Sequence, residues 1–250
     1  MAGVLIVLTG LAVLAGAVAQ RVSGMGFALL ASPVLVLLLG PFDGVLLVSI
    51  CGVISAGLVI TQVWSQVNWR QYLLITPPAL LAIIPGALVA VRFEGPVLQI
   101  TVGLILVSAL TTSLLLRWAG HITPRTATGL IAGGASGFMN ATAGIGGPAI
   151  SVHAVLTRWD QRAFAATLQP HFVTTGVVAF SVKALTAEGG LPDYDWSLWV
   201  VIVACTIVGL LLGGRLAQWI STPVAQLTVI VLSYATATVA IVDGIAHLGT

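Results

Sequence analysis

Long apolar runs separated by short polar breaks dominate this chain. Six of them, Gly44 to Val63, Tyr72 to Val91, Val97 to Leu116, Ala163 to Leu185, Leu198 to Ala217 and Val224 to Ile241, reach the length of about 20 residues that crosses a hydrocarbon layer. Each predicts a membrane-spanning helix. Two further apolar regions are interrupted near their middle by small, glycine-rich sequence, Arg21-Val22-Ser23-Gly24-Met25-Gly26 and Asn140-Ala141-Thr142-Ala143-Gly144-Ile145-Gly146-Gly147-Pro148. Each of these predicts a pair of short helices, roughly 10 to 17 residues apiece. Val4 to Ala19 has the apolar core of a signal peptide, but no basic residue precedes it, so it is read as the first membrane helix.

The two interruptions sit at corresponding places in an internal duplication. Thr9-Gly10-Leu11 matches Thr128-Gly129-Leu130, and Ser23 to Gly26 falls opposite Ala143 to Gly146. Phe42-Asp43 then falls opposite Trp159-Asp160. At a constant spacing thereafter, Trp69 aligns with Trp196, Tyr72 with Trp199, Gly86 with Gly213, Pro96 with Pro223 and Gln99 with Gln226. The predicted architecture is an all-α, polytopic transmembrane protein of two repeats, residues 1–120 and 121–250. Each repeat holds a broken or re-entrant helix pair followed by three membrane spans.

Composition explains why water cannot be the solvent: 58% of the residues are hydrophobic and 6% charged, against about a quarter charged in a soluble domain. The bilayer must cover the rest. A net charge of +2 with no basic run excludes nucleic acid as a partner. Charge position then orients the repeats. If each interrupted region returns the chain to its starting side, Arg70, Arg117, Arg125, Arg158, Arg162 and Arg215 share one face with only Asp160. Asp43, Glu94, Glu188, Asp193, Asp195 and Asp243 share the other, with Arg92 and Lys183. By the positive-inside rule the arginine face is cytoplasmic and both termini lie outside. A single crossing at each break would mix the charges on both faces. The favoured parity turns the second repeat upside down relative to the first.

Non-helical backbone at membrane depth survives only where it is buried in protein or lines a wet cavity, and glycine-broken segments in matching halves point to a transporter's substrate site. Gly144, Gly146, Gly147 and Pro148 read as a helix start, with proline at a position where its missing N–H costs nothing. Unpaired N–H groups and the helix dipole favour an anion there. Gly24, Gly26 and Phe27 supply the equivalent start in the first repeat. Ser23, Asn140 and Thr142 add side-chain donors, and Arg21 adds a positive charge beside the break. Against this stands the plain reading that such glycines serve only close packing, as Gly209 and Gly213 do at GxxxG spacing, and that Arg21 merely reaches an interface. His153, Gln169 and His171 lie in the second-half core elements and are candidates for proton coupling, with a buried structural role as the alternative. Lys183, late in its span, is expected to reach outward to water.

Other chemistry finds no footing. Cys51 and Cys205 lie in apolar runs without metal-ligand spacing and are read as packing residues. No HExxH, GxSxG or phosphate-loop motif occurs, so no cofactor, metal or enzymatic activity is expected, and transport must draw on a gradient.

The duplicated hydrophobic architecture with a glycine motif near the start of each half resembles the TauE/SafE family, the sulfite and organosulfonate exporters, over nearly the whole chain. Gly144 to Pro148 matches that family's second-half motif. Ser23 to Phe27 has a shorter glycine run, with Pro33 following. The resemblance implies export of a sulfur-containing oxyanion such as sulfite, sulfoacetate or a related organosulfonate through a bacterial cytoplasmic membrane. The residues alone suit a carboxylate equally well. An anion channel of the same architecture and a non-transporting membrane partner protein are the competing readings.

Overall fold

A computed structural model describes residues 2–24, 26–93, 95–116, 126–186, 194–220 and 222–248. Among them are ten α-helices and no strand. The first half contributes α1 (Ala2–Ser23), α2 (Phe27–Leu39), α3 (Pro41–Val63), a 3-10 turn (Trp64–Gln66), α4 (Trp69–Arg92) and α5 (Pro96–Leu116). The second contributes α6 (Thr126–Ala143), α7 (Gly147–Leu156), α8 (Gln161–Thr186), α9 (Trp196–Leu216) and α10 (Thr222–Ala246). The junction at residues 120 and 121 lies outside the described residues, as do Met25, Glu94, Arg117, Arg125, Glu188 and Asp193.

The breaks are narrower than the sequence suggested. Arg21 to Ser23 and Asn140 to Ala143 continue their helices, so α1 has 22 residues and α6 has 18, rather than two short helices on either side of a central gap. Each helix stops only at a glycine in the left-handed region, Gly24 at φ +88° and Gly144 at φ +72°, where a side chain would be strained. Only the second members are short: α2 has 13 residues and α7 has 10. At 1.5 Å per residue they rise about 20 and 15 Å, too little to cross a membrane core of about 30 Å. Both fold back on the helix before them. Gly16 lies against Phe27 and Ala31, and Gly146 against Ser136 and Asn140.

Close glycine contacts reveal the running directions. Gly10 approaches Val201 and Cys205, Gly209 approaches Leu14 and Ala17, and Gly213 approaches Val18 and Arg21, so α9 runs parallel to α1. In the same way Gly129 meets Leu74, Gly133 meets Ile75, Gly137 meets Ala79, and Gly86 meets Phe138 and Ala141, so α4 runs parallel to α6. Gly86 and Gly213, matched in the sequence, thus perform the same close packing in the two halves. The GxxxG pair Gly209 and Gly213 seats α9 on α1, as read from its spacing. α3 and α8 are antiparallel, with Phe42 beside Lys183 and Ser49 and Val53 beside Gly176. α5 and α10 are antiparallel too, with Gln99 donating to Asp243 at 2.8 Å and Thr111 bonded to Tyr234 at 2.7 Å. With the chain alternating at each turn, α6 to α10 run opposite to α1 to α5, counterpart for counterpart.

Five helices (α1, α3 with its 3-10 turn, α4, α9 and α10) contain segments long and apolar enough to cross a membrane. α8, expected among the spans as Ala163 to Leu185, has the length at 26 residues but not the apolar composition. Gln169, His171, Thr175 and Lys183 are all buried in it. Its position against α3 and α4 explains how such a sequence persists: protein rather than lipid surrounds the polar side. Elsewhere serine and threonine hydroxyls donate back to their own helix, as Thr101 does to Val97 and Thr228 to Val224, which satisfies them where no water is at hand. Cys51 and Cys205 are free.

Candidate functional site

Helix starts in this protein are handled in two ways. At the ends of the bundle a side chain caps three of them, as Asn68 accepts from the Gln71 N–H of α4, Asp160 from the Arg162 and Ala163 N–H groups of α8 and Asp195 from the Ser197 N–H of α9, and α3, uncapped at Gly40, carries Asp43 in its first turn. α2 and α7 differ. Their N-cap residues are Gly26 and Gly146, no side chain caps either, and neither has an acidic residue in its first turn. The first N–H groups of a helix have no partner within it. At these two positions no side chain among the described residues takes up the role of a cap.

Each break is seated on the third helix of the other half. Gly24 packs on Ala165 of α8, and Gly144 packs on Val45 and Val48 of α3. Ser32 of α2 donates to the Ala143 carbonyl at 2.6 Å, and Gln169 of α8 donates to the Gly24 carbonyl at 3.3 Å. The breaks are therefore cross-braced and share one small cavity. Gln20, Phe27, Ala28 and Leu29 line it from the first repeat, and Asn140 with Gly144 to Gly147 from the second. Its volume of about 40 Å³ is roughly three times what one water requires, enough for a compact oxyanion. A second cavity of about 200 Å³ lies toward the arginine-rich end, lined by Ser23, Pro148, Ser151, Arg158, Trp159 and Gln226 among others. Leu29 lines both cavities.

The donors around the small cavity are unequal. Ser55 donates to the Gln20 oxygen at 2.9 Å, and the Gln20 amide donates to Gln169 at 3.0 Å. Gln169 in turn donates to the Ala165 carbonyl at 2.8 Å. The Gln20 amide is thus occupied. Asn140 is only 7% exposed, and its Nδ2 has no hydrogen-bond partner. A buried unpaired amide donor costs about 1–3 kcal/mol, and this one lines the cavity beside an uncapped helix start.

The other residues expected at the site divide by position. Ser23 donates to the Ala19 carbonyl at 2.7 Å and faces the larger cavity with Pro148. Gly26 is wedged against Ser23 and Ala19. Thr142 points away, to the carbonyls of Gly86 and Phe138. Arg21 also turns away, donating to Gln62 at 2.7 Å on an exposed surface. His171 is fully buried between Thr76 and Ser136, at 3.1 Å from each, and Ser136 abuts Gly146. His153 is buried against Trp159, and both its ring nitrogens lack partners. Sequence reasoning passed over Gln20 and Arg158. Gln20 was legible: it stands four residues before Gly24, as Asn140 stands four before Gly144. Arg158, whose backbone has φ +50°, carried no comparable signal.

Interrupted helices of opposite direction around a small shared cavity, in a bundle of long apolar helices, define a polytopic helical membrane protein. Residues 8–240 match the model of the sulfite exporter TauE/SafE family, and the chain belongs to that family. No curated protein and no solved structure matches it.

Proposed function

We propose that this protein exports a small sulfur-containing oxyanion, such as sulfite, sulfoacetate or a related organosulfonate, by alternating access about the cavity between the two breaks. The observation that carries the proposal is the unpartnered Asn140 amide beside the uncapped start of α7. Donors left open in the interior, with no carboxylate in either first turn, favour a negatively charged guest. The family supplies the sulfur, and the size of the cavity suits a compact oxyanion.

In this reading the larger cavity is the cytoplasmic vestibule. Arg158 draws the anion in from the arginine-rich face, and Leu29 separates vestibule from central cavity until the two halves, residues 1–120 and 121–250, rock against each other. The protein sits in a bacterial cytoplasmic membrane with both termini outside. Proton coupling is assigned to His153, whose ring nitrogens are free, rather than to His171, whose nitrogens are engaged, or Gln169, which does not titrate. Flux of sulfite and sulfoacetate into or out of proteoliposomes is the test. Gly147→Leu, which fills the helix start, and Asn140→Ala should both reduce transport by about tenfold or more. Unchanged transport in both removes the breaks from the mechanism. Saturation and acceleration by anion on the opposite side separate a carrier from a channel.

A further inference from the structure

Lys183 does not reach outward to water, as its place late in α8 suggested. It is fully buried at 0% exposure, among the described residues its Nζ has no hydrogen-bond partner, and it lies over the Phe42 ring, 5.8 Å from the centroid. An aromatic face attracts a cation but does not replace the hydration or counterion that a buried ammonium loses. The position of the pair is informative. Gly176 and Ser49 line the central cavity. Lys183 and Phe42 lie two turns further along the same two helices, about 10 Å beyond the cavity at 1.5 Å per residue. They lie on the side opposite the arginine-rich vestibule.

We propose that Lys183 is a second anion station, outside the central cavity, which takes the transported oxyanion when α3 and α8 part at this end. The inference rests on the transport reading above and deepens it. Phe42 covers the amine in the conformation described; separation of the two helices uncovers it to water and to the departing anion. The competing partner is Asp43, the next residue on α3. Asp43 lies near the Tyr194 phenol, which burial and that carboxylate push up from its ordinary range, while the Lys183 Nζ has no partner among the described residues. Arg92, the remaining described cation at this end, is exposed.

The test uses full-length protein in proteoliposomes, with sulfite and sulfoacetate presented separately to each face. Lys183→Met should raise the half-saturation concentration at the outer face about tenfold, the loss of one charge-assisted contact, and leave the inner face unchanged. Lys183→Arg should stay within about threefold of wild type. Phe42→Ala, which uncovers the amine, should lower the outer value and serves should Lys183→Met fail to fold. Equal shifts at both faces, or no shift in either Lys183→Met or Phe42→Ala, overturn the station. So does an effect of Lys183→Met that vanishes in an Asp43→Asn background, because the lysine then serves Asp43 rather than the anion. A wild-type protein that moves neither anion instead overturns the transport reading itself.

Discussion

The two breaks are equivalent in the duplication and differ in use. At the first, the amide four residues before the glycine is Gln20. It is bonded to Gln169 and Ser55, and Gln169 also holds the Gly24 carbonyl. At the second, the amide four residues before the glycine is Asn140, one methylene shorter, and its Nδ2 has no partner. A duplicated scaffold thus assigns one copy of a position to bracing and leaves the other open to a guest. The neighbouring Arg21 follows the bracing side, being spent on Gln62.

The largest effect expected from this comparison is at the second helix start. A Cβ at Gly146 would lie 2.6 Å from the Ser136 hydroxyl, which is itself bonded to His171. Gly146→Leu should therefore abolish measurable anion flux, whereas Gly57→Ala, where a Cβ meets nothing within 4 Å, should leave flux near wild type. Retained flux in Gly146→Leu would show that the second break is only a packing joint.

Next come the paired amides. Asn140→Ala should weaken anion affinity about tenfold or more, with little loss of thermal stability, because it removes a donor that braces nothing. Gln20→Ala should do the reverse. Leaving Gln169 and Ser55 without a buried partner should cost about 1–3 kcal/mol of stability while affinity changes little. Calorimetric melting and equilibrium binding of sulfite on the purified variants separate the two, and exchanged phenotypes would invert the comparison.

Leu29→Ala removes the side chain shared by the two cavities. A buried leucine cut to alanine costs about 2–5 kcal/mol, and in a carrier the merged cavity should raise uncoupled leak of anion relative to exchange. Unaltered coupling would dismiss Leu29 as the barrier. The smallest change belongs to Arg21→Ala. An exposed hydrogen-bonded charge contributes about 0–1 kcal/mol, so stability and flux should both stay near wild type. A severe loss of flux would return Arg21 to the binding site.

Much of this was legible along the chain. Gly24 and Gly144 stood out because a glycine that ends an apolar helix has few other uses, and their correspondence was visible in the matched series around them. The exact span of each break was not. Arg21-Val22-Ser23 and Asn140-Ala141-Thr142 read as interruptions, yet small polar residues stay helical when their hydroxyls and amides find partners inside a bundle, as Ser23 does on Ala19 and Thr142 on Phe138. α8 was legible as a long helix with its histidine and glutamine in the core, but Lys183, expected to reach water, is buried with them.

The sequence by itself determined the solvent, the helical content and the presence of two matched breaks, because hydrophobic run length and glycine placement act locally on backbone and medium. Only the tertiary structure decided which donors remain open, where Arg21 and Lys183 point, and which cavity each break lines. Those outcomes depend on the rotation of each helix against its neighbours. A side chain's partner is chosen across the fold, by residues as distant in sequence as Gln20 and Gln169.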